Sequence, residues 1–350
     1  MRDVLSAGMV KDLAVDEQGE VTFTFVLTRD DPPTLARAAR KVTQAVAGVT
    51  AVRVNVTAAG AVPGGTAPRQ AAPRPTPGAV PPPPTPVEMR NLGKVLAISS
   101  GKGGVGKSTV SANLAVALAN QGQRVGLMDA DIYGPNIPRM MGVDQKPDVR
   151  GGKIQPLESH GVQLMSLGLI VERDAPAIWR GPIISKVIQQ FLHDVDWGEL
   201  DYFLVDLPPG TGDAQLSLAQ SVHIRAAIIV TTPQEVAVGD SLRGAKMFER
   251  VGVPVIGVVE NMSYFVCPHC GERTEIFLTG GGKRLAEELG VPLLGQVPLQ
   301  AYLADLADAG RPIVAAEPAS PAAQALDATA RRVVEQLAGG PGSELPIIAR

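Results

Sequence analysis

Gly101-Lys102-Gly103-Gly104-Val105-Gly106-Lys107-Ser108-Thr109 decides how this 350-residue chain is read. The stretch follows a short apolar run, Val95 to Ser99, and leads into a helix-forming segment, Thr109 to Gln121. Glycines at 101, 103, 104 and 106 let the backbone turn tightly with its N–H groups inward, and the helix aims its positive end at the same point. Lys107 can then reach the β- and γ-phosphates of a nucleotide while the Ser108 hydroxyl ligates Mg²⁺. The complete G-x-x-x-x-G-K-S/T pattern between a strand and a helix is far more specific than a glycine-rich turn alone. A phosphate cradle for ATP is therefore expected at residues 101–109.

Further apolar runs of strand length recur, each ending in a loop of special residues. Val125 to Met128 leads to Asp129-Ala130-Asp131, Phe203 to Val205 to Asp206, and Ala226 to Val230 to Thr231-Thr232-Pro233. Val255 to Val259 leads to Glu260-Asn261, and Leu293 to Gln296 to Val297-Pro298. Buried β-rich runs separated by amphipathic helices predict an α/β fold, a doubly wound and mostly parallel sheet of the P-loop NTPase kind. Ligands of such sheets bind at the carboxyl ends of the strands, so the special residues converge on one site. Asp129 and Asp131 fall near the phosphates. Asp206 is placed to hold Mg²⁺ through water, and the glycine-rich run after it to donate a backbone N–H to the γ-phosphate. The competing reading of both Asp129 and Asp131 is a cap for the turn Ile132 to Pro135.

The run Lys102 to Ser108 resembles the deviant Walker A motif of the partition, septum-site, arsenite-pump and nitrogenase iron-protein ATPases, the MinD/ParA-like group. That resemblance implies that Lys102 crosses a dimer interface to the partner's nucleotide, so that ATP hydrolysis needs a homodimer. It also implies that Asp131 orients the attacking water, that Asp129 lies near the Mg²⁺ shell and that Asp206 is the Walker B acid. Asn261 takes the adenine-contacting position, where an amide can both donate and accept. Trp197, Leu200-Asp201-Tyr202, Asp206 and Pro208-Pro209-Gly210-Thr211-Gly212-Asp213 match the signature of the Mrp/Nbp35 (ApbC) family position by position, and the likeness runs from about Lys94 to Leu337.

Only two cysteines occur, Cys267 and Cys270, in Cys267-Pro268-His269-Cys270-Gly271. Their spacing and the trailing glycine are those of a metal knuckle, in which backbone N–H groups turn toward thiolate sulfurs. Zinc and iron share this geometry, so the motif leaves the metal open. A redox dithiol is the third reading, although the pair does not open a helix after a strand. A tetrahedral ion or a [4Fe-4S] cluster needs four ligands and one chain offers two thiolates, whereas two chains about a twofold axis supply four. His269 is badly placed to reach the same ion, and His160, His193 and His223 are distant in sequence. The family resemblance implies a labile [4Fe-4S] cluster bridged between subunits, delivered to apo iron–sulfur proteins, with cluster assembly factors as further partners. The function expected is an ATP-dependent iron–sulfur cluster carrier. The alternative is a ParA/MinD-like positioning ATPase with a structural zinc knuckle, which needs a basic DNA face or a terminal amphipathic helix.

The net charge of −3 is scattered, giving no field for nucleic acid. No apolar run approaches the roughly 20 residues that span a bilayer, and no signal peptide opens the chain, so a cytoplasmic protein without a membrane partner is expected. Four regions follow: a small α+β domain at 1–60, a linker at 61–90, the ATPase domain at 91–338 and a flexible tail at 339–350. In the first, Val21, Phe23, Phe25 and Leu27 alternate as a strand, and Pro32-Pro33 opens a helix with Leu35, Ala38, Ala39, Val42 and Val46 along one face. A second strand, Val49 to Thr57, is expected to bury Val52, Val54 and Val56. The arrangement resembles the MIP18-like domain of iron–sulfur assembly factors; Asp31 stands near where many members carry a cysteine, so packing or partner docking is its expected role. In the linker ten prolines leave nothing to build a core, Pro81 to Pro84 read as polyproline II, and at about 3.1 Å per residue the segment spans on the order of 90 Å. Lys107→Ala is expected to abolish turnover without unfolding the chain.

Overall fold

Alternation of apolar and polar residues in the first sixty positions produces a three-stranded sheet: β1 (Val10–Val15), β2 (Glu20–Leu27) and β3 (Ala51–Ala58), with α1 (Thr34–Gln44) between the last two. The computed structural model describes residues 8–16, 18–27, 34–58, 86–170 and 181–338. Asp31, the Pro32-Pro33 opening, the polyproline run and the tail lie outside them. The chain divides into two compact units, residues 1–80 and 81–350.

In the first unit β2 is central, antiparallel to β1 and parallel to β3, and Val21, Phe23, Phe25 and Val52 form the core. The expected helix face needs correction. Leu35, Ala36 and Ala39 pack on the core, whereas Ala38 faces out and Val42 and Val46 are 70% and 57% exposed. Apolar spacing fits two stripes of this helix. The one facing the sheet passes through Ala36, Ala39 and Thr43, whose hydroxyl donates to the Ala39 carbonyl. Val56, expected inside, is exposed near the end of β3, and Val54 is half-buried.

The second unit runs β4 (Lys94–Ser100), α2 (Lys107–Asn120), β5 (Val125–Asp129), α3 (Ile137–Met140), β6 (Val149–Arg150), β7 (Lys153–Ile154), β8 (Leu157–Ser159) and β9 (Val162–Ser166). It continues with α4 (Gly181–His193), β10 (Tyr202–Asp206), α5 (Asp213–Ser221), β11 (Ala226–Thr231), α6 (Glu235–Arg250) and β12 (Val255–Val266). The last part is β13 (Arg273–Thr274), α7 (Gly281–Leu289), β14 (Leu293–Leu299), α8 (Leu303–Asp308), α9 (Ile313–Ala316) and α10 (Pro321–Ala338).

The main sheet has the order β13-β12-β11-β4-β10-β5-β9-β8, with β14 also on β12. Every pairing is parallel except β12 with β13 and β8 with β9. Alternate residues of a strand face opposite layers. Leu96 and Ile98 of β4 thus join α2 and α10 in one core, while Val95 and Ala97 join α4 to α7 in the other. The Trp197 ring is almost wholly buried, stacks edge-on to Phe203 at 4.8 Å and donates from Nε1 to the Phe191 carbonyl at 2.8 Å, fixing the entry to β10.

All six expected strands of this sheet are present, and β12 runs on to Val266. Strands β6 to β9 and β13 were not foreseen. Val87 forms a parallel bridge to Val222, so residues assigned to the end of the linker lie on the second unit. Among the described residues no helix is long and apolar enough to cross a membrane.

Candidate functional site

The register of three strands builds the site. Asp206 ends β10 opposite both Ile98 of β4 and Asp129 of β5, which brings two carboxylates to one level below the loop that follows β4. In that loop Gly104 and Gly106 take φ of +81° and +80°, backbone that L-residues seldom adopt. A Cβ at Gly101 would lie 2.1 Å from backbone atoms of Asp240 and Ser241, so α6 is pressed directly against the cradle.

Asp206 is fully buried and its carboxylate is fully engaged. Oδ2 accepts from Lys107 Nζ at 2.8 Å and Ser108 Oγ at 2.6 Å, and Oδ1 accepts from Ser111 Oγ at 2.6 Å. Ser111 carried no signal in the sequence, because a serine in an otherwise apolar helix reads as filler.

Asp129 is also buried. Its oxygens accept from Ser166 Oγ at 3.0 Å and from the N–H groups of Asp131 and Ile137 at 3.1 and 3.3 Å. Burial, with the Asp206 charge next, pushes its pKa up to about 8. Asp129 thus organises the following loop, as the capping alternative supposed, while lying beside Asp206. Ser166 ends β9, a strand that was not foreseen.

Asp131 is half-buried, and burial raises its pKa while the Lys107 charge holds it down. The Gly134 N–H donates to the Asp131 carbonyl at 3.3 Å, closing the turn that follows, and the nearby backbone of Gly134 and Tyr133 also holds the carboxyl's pKa down. Lys102, Gly103, Ser108, Asp131 and Pro209 line a cavity of about 290 Å³ over the cradle. A neighbouring cavity of about 520 Å³ is walled by Asp131, Pro208, Pro209 and Ile184, so Asp131 borders both. Lys102 makes no ion pair with a described residue.

The loop after Asp206 is tied down at two places. Gly210 N–H donates to the Ser100 carbonyl at 2.8 Å, and Gln215 Nε2 donates to the Pro208 and Gly210 carbonyls. Asn261, near the middle of β12, donates from Nδ2 to the Val105 carbonyl at 2.9 Å, leaving its oxygen able to accept. A Cβ at Gly106 would lie 2.1 Å from that Nδ2, so only glycine admits the amide.

The cysteines occupy the turn between β12 and β13, where Phe265 pairs with Thr274 and Val266 with Arg273. Cys267 is half-buried, Cys270 exposed, and both are free thiols. Gly271 takes φ +73° and donates to the Cys267 carbonyl at 2.8 Å. Backbone N–H groups of Cys270 and His269 point at the Cys267 sulfur and lower its pKa. The backbone takes the tight turn expected from the Cys-x-x-Cys-Gly spacing. Among the described residues no cluster of three or more His, Cys, Asp or Glu side chains could hold a metal ion.

Residues 91–334 match the family described as ParA: NUBPL iron-transfer P-loop NTPase. The chain belongs to this family. Relatives of the NUBPL iron-transfer family extend the match. An iron–sulfur cluster carrier protein of Synechocystis is 44% identical over 95% of this chain and 92% of its own length. One from Deinococcus radiodurans is 51% identical over 72% of each chain, and the mouse iron–sulfur cluster transfer protein NUBPL is 45% identical over 72% of this chain and 80% of its own. Among solved structures, an Archaeoglobus fulgidus nucleotide-binding protein in complex with ADP is 40% identical, covers 66% of this chain and 90% of its own, and gives a TM-score of 0.58. The septum site-determining protein MinD of Pyrococcus horikoshii, complexed with Mg-ADP, is 25% identical over 70% of this chain and 97% of its own, with a TM-score of 0.54. The MinD/ParA-like α/β fold expected from the sequence is therefore the fold of this family.

Proposed function

We propose that this chain is an ATP-dependent iron–sulfur cluster carrier that works as a homodimer in the cytoplasm. The observation that carries the reading is the isolated knuckle: two thiols at the tip of a hairpin with no third ligand beside them among the described residues. Four-ligand chemistry there requires a second chain. The names of the relatives point the same way for the cargo.

The cradle does its part by geometry. Gly101 to Thr109 wrap the phosphates, Val105 and Asn261 fix the base side, and Lys107 turns from Asp206 to the β- and γ-oxygens. Ser108 Oγ and Asp206, 2.6 Å apart, are an oxygen pair suited to hold a hard divalent ion, with Asp129 behind them, and Mg²⁺ bound there would neutralise phosphate charge. Asp131, on the cavity wall, orients the attacking water. Lys102, without an ion pair among the described residues, reaches the nucleotide of the second subunit. The cluster, as cargo, is held by Cys267 and Cys270 of two chains as [4Fe-4S] and handed to apo-proteins, in concert with assembly factors. Exposed Leu13, Val15, Val42 and Val46 support a docking role for the first unit.

Anaerobic reconstitution of the full-length protein with iron and sulfide tests this. A broad absorbance near roughly 400 nm on a species of dimer mass is expected, lost in Cys267→Ala. Zinc in protein purified without oxygen, with no cluster after reconstitution, would establish the structural-knuckle alternative instead. Binding to DNA or lipid vesicles with ATP would revive the positioning reading.

A further inference from the structure

Strand β12 carries both ends of the proposed machine. Asn261 near its middle holds the Val105 carbonyl of the cradle, and Cys267 follows directly after its last residue. Six residues of strand at about 3.3 Å each separate the two by on the order of 20 Å.

The strand is interrupted between them. Met262 takes φ +52°, in the left-handed region where a bulky L-residue is rare. Pairing with β14 slips at the same place: Asn261 faces Val297, but Phe265 already faces Leu299. Two more residues are therefore used on β12 than on β14, which is a bulge.

Such backbone persists only where the surroundings force it. Here a buried carboxylate does so. Glu260 accepts from Ser263 Oγ, from the Gly282 N–H that opens α7 and from Gln296 Nε2 of β14, clamping the chain on both sides of Met262. The Met262 methyl also lies against the cradle, 3.7 Å from where a Cβ on Gly106 would stand. The loop after Asp206, the other part able to respond to a nucleotide, leaves β10, which is separated from β12 by β4 and β11.

We propose that Met262 is a positioning residue, the strained joint through which nucleotide occupancy at Val105 and Asn261 is passed along β12 to the hairpin bearing Cys267 and Cys270. The inference rests on the carrier reading and adds the route by which nucleotide state reaches the cargo. A bulge held in unfavourable backbone can settle in a second arrangement when its anchor moves, and coupling requires such a two-state element.

Hydrogen exchange of the full-length, cluster-free protein tests the joint, read at amides 264–274 with and without ATP and Mg²⁺. The wild type is expected to change its exchange there by about fivefold or more, the lower end of ordinary coupling. Met262→Gly accepts the left-handed backbone without strain; it should bind ATP within about twofold of wild type yet show less than about a twofold change in the hairpin. If that variant does not fold, Met262→Asn, whose side chain tolerates the same region, replaces it with the same expectation. A wild type without any nucleotide-dependent change, or a variant that keeps the full change, overturns the proposal. Iron and sulfide content after reconstitution is scored separately, so loss of the carrier reading and loss of the joint are different results.

Discussion

Replacing Lys107 by alanine tests the site through stability as well as through catalysis. Lys107 is 5% exposed and Asp206 0%, and their 2.8 Å contact is the only ion pair either makes among the described residues. Breaking a buried pair by deleting one partner strands the other charge, at about 3–5 kcal/mol. Ser108 and Ser111 would still donate to both oxygens of Asp206, which places Lys107→Ala at the lower end, about 3 kcal/mol. Against a total of about 5–15 kcal/mol the chain stays folded, with Tm lowered by about 6–12 °C if each kcal/mol shifts it by about 2–4 °C. Urea unfolding at neutral pH, followed by tryptophan fluorescence, measures this with m unchanged. Adding Asp206→Asn removes the stranded charge and should recover most of the loss, leaving about 1 kcal/mol, with no turnover in either variant. A single variant as stable as wild type, or a double variant weaker than the single one, would refute the account.

Gly106→Ala sets a methyl 2.1 Å from the Asn261 amide at a φ of +80°, so nucleotide affinity by calorimetry should fall. One strained residue at about 1–2 kcal/mol and one lost hydrogen bond at about 1 kcal/mol give roughly 30- to 150-fold. Gly271→Ala, at φ +73° with open space around it, should leave the fold intact; on the carrier reading, a reconstituted cluster should lose iron to a chelator about five to ten times faster, for one strained residue costs about 1 kcal/mol or slightly more. Arg124 holds the Asp201 carboxyl down to about 2, mainly by its side-chain hydrogen bonds. A depressed carboxyl stabilises above its unfolded value near 3.9 and loses that contribution as pH falls toward about 2. Both groups are substantially exposed, so Asp201→Asn should cost at most about 1 kcal/mol at pH 7, with the cost falling away as pH drops through about 2, measured by urea unfolding across that range.

Chain-order reading found the strands whose ends make the site because each closes on a residue type with one evident use there, glycine and lysine after β4 and aspartate after β10. The tie between Asp129 and Ser166 was illegible, since Val162-Gln-Leu-Met-Ser ends in no such signal and its value comes only from lying beside β5. Ser111 was hidden by its apolar neighbours in α2. The far half of β12 was hidden by its bulge, because a left-handed methionine leaves no mark in composition or period. In α1 two stripes fitted the apolar spacing equally, and the sheet selected the one through Ala36 and Thr43. By contrast, Lys107 and Asp206 are in contact, and Asn261 reaches the cradle at Val105, so these motif residues do converge.

The contact between Lys107 and Asp206 constrains the order in which the pocket can fill. A lysine that swings away to meet incoming phosphates leaves a buried acid with only two serine hydroxyls, an arrangement that a second cation would relieve. Nucleotide arriving without a divalent ion would leave it bereft, whereas an ion alone would have to evict the lysine. On the proposed ATPase reading, joint arrival is the route of least resistance, so chelated ATP would be the species the pocket accepts, and scarcity of the ion would idle it as surely as scarcity of ATP.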